Sequence, residues 1–205
     1  MRTRINWATL LADEARKNSV LRLDRIVARH GVNAGVARNA LRRWEERGFV
    51  EHVSNKAYIN RLNQHFTPRD LVNVLRPEAY VSLESALVDS GVTSQSPLIL
   101  TCVTTGYPKV FRTPSVTVAY RRISPALYWG FQEKKTRYGT YRIAEPEKAL
   151  LDWIYLNRQE GLPTPLDEIN LHFVDPGKLM EYSKRFPTTV QREASQLLVE
   201  SKLSG

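Results

Sequence analysis

Two clusters in the sequence combine residue types that do chemistry. Glu145-Pro146-Glu147-Lys148 with Asp152 sets carboxylates beside a lysine, a combination that recurs in metal-dependent nucleases. Nuclease carboxylates converge on a cation from a strand and its neighbours, whereas Glu147, Lys148 and Asp152 fall in the first turns of one expected helix. There, acids at a helix start and a Lys148–Asp152 pair four residues apart are ordinary helix electrostatics. The four histidines, His30, His52, His65 and His172, show no His-x-x-x-His spacing, and Cys102 is the single cysteine. Zinc and iron sites therefore lack sequence support, and no internal disulfide can form. Cys102 lies in the apolar run Leu98–Val103, which reads as a buried, inert thiol. With no glycine-rich phosphate loop and no Gly-x-Ser-x-Gly elbow, the expectation is no catalytic residue, no metal and no cofactor.

The second cluster is Arg38, Asn39, Arg42 and Arg43. At 100° per residue from Val36 at zero, Ala40, Trp44, Ala37 and Leu41 span about 0° to 140°, while Arg38, Arg42 and Asn39 span about 200° to 300°. One face packs. The opposite face presents guanidinium and amide groups, which form bidentate pairs with guanine and adenine in a major groove. Arg43, at about 340°, is placed for a phosphate.

These side chains need elements to hold them. A first helix is expected from about Asn6 to Lys17, with Trp7, Ala8, Leu10, Leu11 and Ala15 in one arc. Val20-Leu21-Arg22 is a short extended piece. A second helix from Leu23 places Leu23, Ile26, Val27 and His30 on one face, with His30 packed in the core, and Arg25 and Arg29 on the other; it ends at Gly31. Gly31-Val32-Asn33 then turns into the third helix, capped by Asn33 and stopped by Gly48. Phe49–Val53 and Lys56–Ile59 read as two strands around Ser54-Asn55, a wing.

Three helices, the third basic, with a hairpin directly after, predict a winged helix-turn-helix over residues 1–66. Its candidate DNA contacts are Arg25, Arg38, Asn39, Arg42, Arg43, Lys56 and Arg61, the last two meeting backbone or minor groove, with Arg2 and Arg4 as a basic arm. Charge agrees with this. Residues 1–62 hold 13 basic and 6 acidic side chains, or +7, against 17 and 15, or +2, in the remainder. A basic segment of this kind is the footprint of a polyanion whose counterions are released on binding.

Residues 67–205 are expected to form a mixed α/β carboxy-terminal domain, making the chain α+β overall. Thr67-Pro68-Arg69-Asp70 caps a short helix through about Leu75 at the joint. A helix from Ser82 to about Ser90 is closed by Gly91. Strands are expected near 98–104, 115–123 and 138–143, the first covered on both faces and the second half exposed. Glu145-Pro146 opens a helix burying Ala149, Leu150, Trp153 and Ile154, and two more helices lie near 176–185 and 189–202. No apolar run approaches the length of a signal or membrane-spanning segment, so a cytoplasmic protein with no membrane partner is expected.

The segments Tyr80-Val81-Ser82-Leu83-Glu84-Ser85-Ala86-Leu87 and Ile143-Ala144-Glu145-Pro146-Glu147-Lys148-Ala149-Leu150-Leu151-Asp152 resemble those of the AbiEi antitoxin family of type IV toxin–antitoxin systems. The resemblance spans nearly the whole chain. It implies a winged domain that represses its own operon by binding double-stranded operator DNA. It also implies a second domain that counteracts a nucleotidyltransferase-like toxin in abortive infection, without a stable complex. The family's DNA-reading element corresponds to the helix around Arg38, Asn39, Arg42 and Arg43 and the wing around Lys56. For Ser82, Glu147, Lys148 and Asp152 a structural role and an antitoxic one both stay open. A stand-alone regulator with a ligand-sensing second domain is the alternative, and a metal-dependent nuclease a third.

Overall fold

The computed structural model describes residues 5–95, 97–166 and 169–203 of a mixed α+β chain. The chain divides into two compact units. Unit 1 comprises Met1–Pro77, Phe111–Thr117 and Lys135–Tyr141, and unit 2 comprises Glu78–Val110, Val118–Lys134 and Arg142–Gly205. The expected joint at residues 66 and 67 thus falls inside unit 1. Among the described residues no helix is long and apolar enough to cross a membrane.

Unit 1 begins with α1 (Trp7–Lys17), β1 (Val20–Arg22), α2 (Leu23–His30) and α3 (Ala34–Glu45), followed by β2 (Val50–Ser54) and β3 (Ala57–Asn60). Local chemistry sets the helix ends. The Asn6 side chain accepts from the Ala8 and Thr9 amides, and Asn33 accepts from Gly35. Gly31, at φ 61°, closes α2 in the left-handed conformation that glycine adopts without a Cβ penalty. After α3 the Phe49 amide donates back to the Trp44 carbonyl at 3.0 Å across Gly48. The strands form one antiparallel sheet in the order β1-β3-β2, with Leu21 opposite Tyr58 and His52 opposite Tyr58 on the other side. Leu10, Leu11, Leu21, Ile26, Ala37, Leu41, Val50 and Tyr58 form the core between helices and sheet, with Trp7 and Trp44 partly buried against it.

The Thr67-Pro68 signal produces a single tight turn, Pro68–Leu71, running into α4 (Val72–Leu75). Asp70 accepts from the Thr67 amide and from Ser19 Oγ, each at 2.9 Å, and so ties this turn to the end of α1.

In unit 2, β4 (Tyr80–Val81) leads into α5 (Leu83–Asp89). The strands β5 (Ile99–Thr104), β6 (Lys109–Arg112), β7 (Thr117–Arg122), β8 (Phe131–Lys135) and β9 (Thr140–Ala144) complete a six-stranded sheet ordered β6-β7-β5-β4-β9-β8. β4 pairs antiparallel with β5 and parallel with β9. The central β5 buries Cys102 and Val103 completely, although its leading Leu98 is solvent-exposed. The edge strands β6 and β8 fall where the sequence predicts no element. Both are largely exposed and lysine-bearing, so they lack the apolar alternation that marks a strand, and such charges discourage pairing with other chains. The helix α6 (Pro146–Glu160) packs against α5, and α7 (Pro176–Ser183) and α8 (Thr188–Leu203) pack against it in turn.

Candidate nucleic-acid interface

Burying Ala37, Ala40 and Leu41 orients α3. That packing turns Arg38, Asn39, Arg42 and Arg43 outward together, all four exposed. Among the described residues none forms an ion pair with Arg38, Arg42 or Arg43, so three cations and an amide line one helix face. Val36, expected at the margin of the packed face, is 56% exposed instead. It lies one turn before Asn39 and two before Arg43, and adds methyl groups to the polar face.

Lys56 sits exposed in the β2–β3 turn, and its carbonyl accepts from the Leu23 amide at 2.9 Å, which brings the turn to the start of α2. Arg25, in the first turn of that helix, is also exposed and free of ion pairs among the described residues. Arg61 lies past the far end of β3, about 17 Å from Lys56 at ~3.4 Å per residue. There its guanidinium is 3.6 Å from the Glu51 carboxylate. The hairpin therefore carries a free cation at its turn and a paired one at its base. Arg2 and Arg4 lie outside the described residues.

His30 is exposed, contrary to the expected core position, because α2 ends there and its last turn projects past the core formed by Leu23 and Ile26.

Glu51 also explains why residues 111–117 belong to unit 1. It accepts from the Ser115 amide at 2.9 Å and Ser115 Oγ at 2.8 Å. Burial raises its pKa, but bonds from Thr113 and Ser115 and the nearby Arg61 outweigh it, leaving the carboxyl below its ordinary 4.5. The carboxylate form is thus favoured by folding. Its stabilisation is present above about pH 4.5 and is lost as pH falls through the lowered folded value. Counting by folded units sharpens the charge separation: unit 1 holds 18 basic and 7 acidic residues, or +11, and unit 2 holds 12 and 14, or −2.

The Glu147–Asp152 cluster has a different character. Lys148 and Asp152 are 0% exposed and paired with each other. Asp152 also accepts from Tyr80 OH and Ser82 Oγ, each at 2.9 Å, while Lys148 Nζ donates to Tyr80 OH at 3.0 Å. The rings of Tyr80, Trp129 and Phe186 surround the ammonium at 5.3–5.4 Å from their centroids. Gly130, at φ +72°, lets the backbone approach; a Cβ there would lie 3.0 Å from Lys148 Cγ. Burial pushes the Asp152 carboxyl up and the Lys148 ammonium down, each opposed by its partner's charge. Glu147 accepts from the Asp175 amide at 2.9 Å at the start of α7 and lies 3.4 Å from Lys178 Nζ. These groups face one another instead of solvent, and among the described residues no three metal-ligating side chains cluster. The sequence identified the Lys148–Asp152 pair but not its burial, because Tyr80 and Ser82 are some seventy residues away.

No protein-family model matches the chain, and no curated protein matches it.

Proposed function

We propose that unit 1 is a winged helix-turn-helix that binds double-stranded DNA, with α3 in the major groove and the β2–β3 turn against the backbone. We further propose that the chain is an antitoxin that represses its own operon and counteracts a nucleotidyltransferase-like toxin. The observation that carries the DNA reading is the exposed α3 face, where Arg38, Asn39, Arg42 and Arg43 stand free of carboxylate partners among the described residues. A free guanidinium needs no internal ion pair broken before it meets a guanine edge. The order α2, tight turn, α3 and hairpin supports it, as does the +11 charge of the unit. The antitoxic role rests on the resemblance of the segments 80–87 and 143–152, and it requires a nucleotidyltransferase-like protein in the adjacent reading frame.

Binding to duplex DNA is expected to weaken steeply with salt, because each neutralised phosphate releases counterions. Arg42→Ala is expected to cost about 1–3 kcal/mol on the cognate site and much less on unrelated DNA, measured by fluorescence anisotropy at fixed ionic strength. Equal losses on both would make Arg42 a phosphate contact. A flat salt dependence of the wild type would remove the DNA reading itself.

A further inference from the structure

Unit 1 carries a second basic surface away from α3. Arg22 and Arg25, at the start of α2, line an open polar groove of about 230 Å³ together with Tyr138 and Thr140 of the β8–β9 connection. Arg22 is held in a bidentate pair with Asp24, while Arg25 has no ion pair among the described residues. The groove's carboxylate, Asp70, is occupied by the Ser19 hydroxyl and the Thr67 amide. In the same β8–β9 connection Lys135 and Arg137 are exposed and free of ion pairs among the described residues, and Arg137 lines a further groove with Arg16.

These cations are spread over two adjoining open grooves and interleaved with hydroxyl donors. They do not converge on one point, as they would around a small anion. That pattern suits a chain of regularly repeated negative charges. We infer that the β8–β9 turn, through Lys135 and Arg137 beside Arg25, binds the sugar–phosphate backbone of duplex DNA outside the stretch contacted by α3. The inference rests on the reading of unit 1 as a DNA-binding module and enlarges its footprint to residues far beyond the first 62.

The test compares the salt dependence of duplex binding by the full-length wild type, K135A/R137A, and a control pair, K184A/R192A, which removes equal charge from exposed positions of unit 2. Thermal melting confirms that each variant is folded. K135A/R137A is expected to show a log–log slope shallower by about two, with the same loss on cognate and unrelated duplexes. The control pair should leave the slope unchanged. A wild-type slope in K135A/R137A overturns the inference while leaving DNA binding by α3 intact. Equal effects of both pairs overturn it in favour of a general net-charge effect. Saturable binding of inorganic phosphate that depends on Lys135 and Arg137, with unaltered duplex binding, assigns the surface to a small anion instead. A wild type that binds no duplex overturns the underlying reading and this one with it.

Discussion

Asp152→Ala is expected to destabilise unit 2 by about 3–5 kcal/mol, because it strands the Lys148 ammonium, without its counter-charge, among three aromatic rings. It also leaves the Tyr80 and Ser82 hydroxyls without their acceptor. The more informative comparison separates charge from hydrogen bonding. Lys148→Met leaves a buried carboxylate with two hydroxyl donors. Asp152→Asn keeps an acceptor for those donors but leaves a buried ammonium. Combining the two removes both charges and keeps the acceptor, so the double variant is expected to lose less stability than either single one. Urea unfolding in a Trp7→Phe, Trp44→Phe background measures this, since the remaining indoles, Trp129 and Trp153, belong to unit 2. Single losses below about 1 kcal/mol that simply add would show that the network contributes little to stability.

The second large effect concerns the division of labour. Arg38→Ala with Arg42→Ala in the full chain is expected to cost about 2–6 kcal/mol in operator binding if each reads a base. Expressed from an unrelated promoter, the same variant is expected to keep at least part of the rescue from the partner toxin. Point substitutions separate the two roles more cleanly than a cut at residue 66. That cut removes Asp70, the partner of Ser19, and both distant segments that complete unit 1. Loss of rescue at matched protein levels, with folding intact, would place the antitoxic function on the DNA-binding face.

The parts of this arrangement legible in the sequence are those fixed by neighbours along the chain. The helix ends at Asn6, Gly31 and Asn33, the α3 stripe of Ala37, Ala40 and Leu41, and the strands around Ser54-Asn55 all follow from residues within a turn or two. So does the buried Cys102 in an all-apolar run. What escaped depends on distant partners. Arg61 looks like any hairpin cation until Glu51 is seen beside it, and Lys135 and Arg137 look like ordinary edge-strand charges until the β8–β9 turn is placed in unit 1. Leu83 gives no sequence warning either. Its φ of 56° is unusual for a branched residue, and it directly follows Ser82, whose hydroxyl must reach Asp152.

The three-part make-up of unit 1 bears on how the protein is made. A ribosome delivers residue 1 first, and an amino-terminal domain ordinarily completes itself while the rest is still being translated. Here the last segment of unit 1, Lys135–Tyr141, emerges only after β4 to β7 have been synthesised. A stalled or prematurely terminated nascent chain therefore carries an unfinished first unit. For a repressor of its own operon, occupancy of the operator would then count chains translated past residue 141, not initiation events.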